Sequence, residues 1–151
     1  MVIERNALKE SLFRKVTVHK SSITDAVKMF GNEYRVFEHN SFSREHRYAS
    51  FGLSFFYKIA DSKQTIFIIK IYQPFASKTS DGLKVGESTL IDVFSAFKSH
   101  GKFQRNPVSD PLAYFAYDSI AFGFNLSENG MLGLFDLEVE ANKEIEMIKL
   151  F

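Results

Sequence analysis

The chain has 151 residues, 45% of them hydrophobic and 25% charged, and no cysteine. That length can bury a core without disulfides or a metal, and the missing cysteine excludes a disulfide framework and thiolate chemistry. The net charge of +1 hides an asymmetry: residues 1–75 carry 12 Lys and Arg against 7 Asp and Glu, while residues 76–151 carry 7 against 11. Such polarisation bears on partners more than on fold.

The opening stretch, "MVIERNALKESLFRKV", is interrupted by Glu4, Arg5, Lys9 and Glu10 where an export signal needs an unbroken apolar run. No later run approaches the length of a membrane span. The absence of cysteine fits a reducing compartment, and the expectation is a cytoplasmic protein. Seventeen Phe and six Tyr with no Trp point to a core packed with Phe.

The first predicted element is a short alternating strand, Val16–Val18. Ser22 then reads as a helix cap, because a hydroxyl oxygen can accept the free amide protons of a first turn. Asp25 lies in that turn, where negative charge meets the positive end of the helix dipole. Ile23, Val27 and Phe30 recur at helical spacing, and Gly31 is placed to stop the helix. Strands are predicted at about 34–38, 47–58 and 65–73, with "ADSK" (Ala60–Lys63) as a turn between the last two.

After the linker "FASKTSDG" the phrase is written again. At a shift of 67, Val16, Val18, Ser21, Ile23, Asp25, Val27 and Phe30 fall on Leu83, Val85, Ser88, Leu90, Asp92, Phe94 and Phe97. At 69, Tyr48, Ser50 and Phe55 fall on Tyr117, Ser119 and Phe124, and at 68 "IFIIKIY" falls on "LFDLEVE". Ser88 or Thr89 reads as the second cap and Gly101 as the second stop. Strands are predicted at about 102–105, 112–126 and 131–140, with "SENG" (Ser127–Gly130) as a turn, and "NKEIEMIKLF" as an extra strand. The reading is an internal duplication. It gives one compact α+β domain, 1–151, built of two repeats (about 16–75 and 82–140) plus a C-terminal strand at about 143–150. Two small sheets would each leave an apolar flank exposed. One continuous twisted antiparallel sheet is therefore expected, with both helices on one face.

Candidate chemistry is sparse. His39 and His46 lie in "VFEHNSFSREHRY" with Arg44, Arg47 and Tyr48. As an acid–base pair they would need an arginine to steady an anion, and as a metal site they lack a third ligand. A polar hairpin explains them as well. No phosphate loop or nucleophile elbow is present, and no catalytic residue, cofactor or metal is expected. "GMLGLF" reads as a bulged strand. In "FDLEVEANKEIEM", Asp136, Glu138 and Glu140 alternate with Leu137 and Val139. Period two would put the three carboxylates on one strand face, and Glu144 and Glu146 would continue the run. This stripe could dock a basic protein or simply be solvated. Arg35, Arg44, Arg47, Lys58 and Lys63 interleave with Tyr34, Phe42, Tyr48 and Tyr57, but a pI near 7.9 weighs against nucleic acid.

The second opening, "GLKVGESTLIDVFSAF", resembles a phrase of small bacterial α/β domains: a Gly-led strand, a Gly-x-Ser turn and an Asp-Val helix. Among these are the β-lactamase inhibitory protein family and small bacterial immunity proteins. The resemblance implies an open sheet face that grips another protein. The expectation is a non-enzymatic immunity or inhibitor protein that neutralises a toxin, with a small enzyme or ligand-binding domain using His39, His46 and Arg47, or a structural component of a larger complex, as the alternatives.

Overall fold

The computed structural model describes residues 2–4, 15–106 and 110–151. The fold is α+β, and its sheet strands pair antiparallel. The chain divides into two compact units, Met1–Ser77 with Leu150–Phe151, and Lys78–Lys149, so the boundary falls inside the predicted linker.

In the first unit, β1 (Val2–Glu4) pairs with β2 (Lys15–Thr17), and α1 (Ile23–Phe30) follows. Then come β3 (Arg35–Glu38), β4 (Ser43–Tyr48), β5 (Leu53–Lys58) and β6 (Ile66–Ile71), each paired with the next. In the second unit α2 (Leu90–Phe97) precedes β7 (Lys102–Arg105), β8 (Ala113–Tyr117) and β9 (Ile120–Phe124). Two one-turn helices follow, α3 (Glu128–Met131) and α4 (Leu137–Glu140), and then β10 (Met147–Leu150). The strand order is β3-β4-β5-β6 in the first unit and β10-β9-β8-β7 in the second.

Both helices start through the same set of bonds. In the first unit the Thr17 amide donates to Ser21 Oγ at 2.8 Å, and in the second Lys84 donates to Ser88 Oγ at 2.9 Å. Ser22 and Thr89 are the caps. Each exchanges hydrogen bonds with an aspartate three residues on, Asp25 or Asp92, in a reciprocal capping box. Ile66 donates to the Ser21 carbonyl and Ile145 to that of Ser88, both at 2.9 Å. Ile23 donates to Gln64 at 3.0 Å and Leu90 to Lys143 at 2.9 Å. Ser88, one of two predicted caps, therefore serves the preceding turn instead. That turn needs a positive φ, supplied by His19 (φ 67°) in one unit and Gly86 (φ 77°) in the other.

The helices end differently. Gly31 stops α1 as expected, but Lys98 in the left-handed region ends α2, ahead of Gly101. In each unit a tyrosine hydroxyl ties off the exit: Tyr48 donates to the Gly31 carbonyl at 2.8 Å and Tyr117 to that of Ser99 at 2.7 Å. Phe30 is buried against Tyr48, Phe51 and Phe55. In the second unit the buried aromatic is Phe94, packed on Phe115, Phe135 and His100. Phe97, expected to match Phe30, is half-buried and stacks on Tyr117 at 4.3 Å.

Three predicted strands are redrawn. The stretch 47–58 breaks at 49–52, where Gly52 holds φ at 73° and a Cβ would collide with the Tyr72 carbonyl oxygen. No other residue fits there. The stretch 112–126 breaks at Asp118, which holds φ at 49°. The stretch 131–140 is not a strand: Asp136 caps α4 by accepting from the Glu138 amide at 3.0 Å. The expected "GMLGLF" bulge is a helix end, with Gly130 buried in α3. Leu83–Val85 forms no strand, although both residues are buried.

Phe30→Ala and Phe94→Ala should each destabilise by about 3–5 kcal/mol, as truncated core aromatics do. Ser22→Ala should cost about 1 kcal/mol through the lost cap. Urea titration of the three variants checks the order. A silent Phe30→Ala would mean that the α1 contacts do not hold that helix.

Candidate functional site

The first unit's sheet sorts the "SREHRY" strand by alternation. Ser43, Glu45 and Arg47 point to one face, and Arg44, His46 and Tyr48 to the other, where Tyr48 meets Phe30 of α1. The suspected site is thus divided by the sheet. His46 is 7% exposed, stacks on Tyr34 at 4.5 Å and meets the edge of Tyr57 at 5.4 Å. Its Nδ1 has no hydrogen-bond partner among the described residues, and burial lowers its pKa from the ordinary 6.5. Tyr48 is fully buried and its hydroxyl is spent on Gly31, with burial raising its pKa to about 12. Arg44 pairs with Glu38 at 2.6 Å. Arg44, His46 and Tyr48 thus lie on the sheet face away from Glu45 and Arg47, and His39 and His46 do not converge.

His39 and Arg47 do converge, through a residue the sequence reading left aside. Glu45 is 4% exposed. His39 Nε2 lies 2.6 Å from its Oε1, Arg47 Nε 2.8 Å from its Oε2, and Arg47 Nη2 3.0 Å from Oε1. The Ser54 hydroxyl donates to Oε2 at 2.6 Å and sits 3.0 Å from the Tyr72 hydroxyl. Burial alone would raise the Glu45 pKa, but the hydrogen bonds from Arg47, Ser54 and His39 outweigh it and bring the carboxyl down to about 2. The Arg47 guanidinium also lies 4.0 Å from the Phe37 ring centroid. A carboxylate-oriented imidazole is the geometry of a general base. The hydroxyl beside it, Ser54, is committed to Glu45 and is itself buried. The expected polar hairpin is real, but its centre is buried rather than solvated.

The second candidate, the acidic run, loses its strand geometry. Asp136 and Glu138 are exposed on α4, whereas Glu140 is fully buried and accepts from the Ser127 amide at 3.1 Å through both oxygens. Glu140 therefore anchors α3 and cannot dock a partner. Glu144 and Glu146 are exposed before β10. What the sequence reading missed is apolar. Leu132, Leu134 and Val139 are 65, 73 and 58% exposed, while Phe135 between them is held against Phe94 and Phe115. The signal lies in "MLGLFDLEV", where strand alternation accounts for Leu137 and Val139 but puts Leu132 and Leu134 on the face of the carboxylates.

Among the described residues no group of His, Asp and Glu could hold a metal ion, and no helix is long and apolar enough to cross a membrane. No family model matches the chain, and no curated protein matches it. Two solved structures are similar in fold. The uncharacterized protein yfeY from Escherichia coli superposes with a TM-score of 0.54 at 15% identity, over 78% of this chain and 79% of that one. A DUF4309 family protein, YjgB, from Bacillus subtilis gives 0.50 at 15% identity, over 89% of this chain and 81% of that one. At that identity the likeness concerns the α+β fold alone.

Acid should loosen the first unit in two steps. His46 has a depressed pKa, so the folded state binds fewer protons than the unfolded one. Its stabilisation is complete above about pH 6.5 and declines below that value. Glu45, also depressed, contributes stability above its ordinary 4.5 that is lost as pH falls towards about 2. Urea midpoints between about pH 7.5 and 5 should fall for the natural chain and flatten for His46→Phe, whose ring can stack between the same tyrosines. Glu45→Gln should cost about 2 kcal/mol at neutral pH, through weakened charge-assisted hydrogen bonds.

Proposed function

We propose that the chain is a non-enzymatic protein-binding module, built from a duplicated helix-and-meander unit, that docks a basic partner through its α3–α4 segment. The observation that carries this reading is the exposure of three large apolar side chains within eight residues, Leu132 to Val139. Exposed apolar clusters rimmed by polar groups mark interaction sites. Here the rim is acidic: Glu128, Asp136, Glu138 and Glu144 are all exposed. Residues 127–146 hold six carboxylates and one lysine, Lys143. The segment is also held in place from beneath, by Phe135 among the core rings and by Glu140 on the Ser127 amide. A patch already immobilised loses little entropy when a partner covers it.

The duplication is supported by the paired helix starts. The bonds made by Ser21 and Ser88, the capping boxes of Ser22 and Thr89, and the backbone bonds of Ile66 and Ile145 recur in order. On this reading β10 is the counterpart of β6 rather than an extra strand, and α3–α4 is an insertion that only the second copy carries. In its most concrete form the module is a cytoplasmic immunity or inhibitor protein that occludes a basic toxin domain. That task needs charge and shape complementarity and no catalytic group.

The test begins with the product of the neighbouring gene, or with a partner cross-linked in the source cell. Leu134→Ala should weaken its binding at least about tenfold, or about 1.4 kcal/mol, without shifting the melting temperature. Asp136→Lys/Glu138→Lys should slow association and remove most of its salt dependence. A bound partner that ignores all three changes would overturn the docking surface.

A further inference from the structure

The first unit's strands bring cations into a row. Register pairs Arg35 with Arg47, Arg47 with Ser54, and Ser54 with Lys70. Directly opposed residues share a face, so the row crosses all four strands at about 5 Å per step, or about 15 Å end to end. The adjacent row on the same face is Phe37, Glu45, Phe56 and Ile68. The cations lean over it: Arg47 over Phe37 at 4.0 Å and Lys70 over Phe56 at 5.0 Å. Lys58, farther along β5, lies 5.7 Å from the Phe67 ring centroid. Among the described residues of these four strands, Arg35, Arg47, Lys58 and Lys70 thus share this face with one carboxylate, Glu45.

Two features of the row are unusual for a merely solvated surface. Like charges directly opposed across an antiparallel pair are unfavourable, yet Arg35 faces Arg47. Glu45 compensates Arg47, while Arg35 has no ion-pair partner among the described residues. Arg47 is also fixed twice, by its fork on a buried carboxylate and by the Phe37 ring. Its Nε and one Nη2 proton are used there, which leaves three N–H donors in a preset position. An acidic group arriving between the two arginines would relieve their repulsion and find donors that are already ordered.

We propose that the Arg35–Arg47–Lys70 row is a second docking site, which receives an acidic peptide segment of a protein partner. Alternate side chains of an extended segment lie about 7 Å apart, so four or five residues span the row. Phosphate would satisfy the same donors, but single-stranded nucleic acid also needs bare aromatic faces for its bases. Here Phe37 and Phe56 are covered by the protein's own cations, so the face offers donors without stacking platforms. The site is separate from the α3–α4 patch and opposite in sign.

Titration of the full chain with an oligoglutamate peptide at physiological salt tests the assignment, read by NMR at the arginine Nε–H and backbone amide signals. Saturable shifts should appear at Arg35, Arg47 and Lys70. Arg35→Ala/Lys70→Ala should weaken binding at least about tenfold, whereas Lys63→Ala, which removes an exposed cation from the β5–β6 turn, should change it less than about twofold. Arg47 is left intact because its loss would strand the buried Glu45. Absence of saturable shifts, equal losses from the control, or tighter binding of oligothymidylate or inorganic phosphate than of oligoglutamate would each overturn the proposal. Leu134→Ala should leave this titration unchanged, which separates its outcome from that of the α3–α4 surface.

Discussion

The reciprocal backbone bonds between each helix start and the strand that closes its unit constrain everything around them. Ser21 and Ile66 in one unit, and Ser88 and Ile145 in the other, fix where the helix begins along the last strand. The capping boxes then set the helix direction, and helical spacing places Phe30 and Phe94 over the sheet. Because side chains alternate along a strand, a slip of one residue in β6 would turn Ile69 and Ile71 outward and Lys70 inward. The polar bonds therefore select the register, and the aromatic core supplies most of the free energy that favours it.

That division of labour explains the character of the first unit's outer face. A carboxylate can remain there with 4% exposure because Arg47, His39 and Ser54 satisfy it together. Removing any one donor leaves a partly unmet acceptor, so the network holds its members in place more than it adds net stability. His46 on the opposite face is the contrasting case. Its ring is well packed, but its Nδ1 is unmet, and it favours neutrality.

Much of this was legible in the sequence. The capped helix starts, the Gly31 stop, β3, β6 and β7 all carry local signals: a hydroxyl before an aspartate, a glycine, or an alternating run. Three errors have physical causes. The break at Gly52 depends on the approach of the Tyr72 carbonyl, a contact between distant residues. "LFDLEVE" alternates like a strand, but Asp136 is also a good helix cap, and the cap prevailed. Nearness in the chain groups Arg44, His46 and Tyr48 with His39 and Arg47, whereas a strand sends neighbours to opposite faces. Glu45 was the legible clue, since it shares parity with Arg47 and its neutralisation by a cation follows once the strand is recognised.

The two closing hairpins differ in reach. Seven residues join β5 to β6, whereas twenty-two join β9 to β10. Closing the longer connection costs about 1 kcal/mol more in chain entropy, and the contacts it makes are less local. The shorter turn is also prepaid by Asp61, whose carboxylate accepts from the Lys63 and Thr65 amides. The two halves, alike in their helix starts, are therefore expected to fold at different speeds, with the β5–β6 hairpin forming early and β10 among the last strands to join.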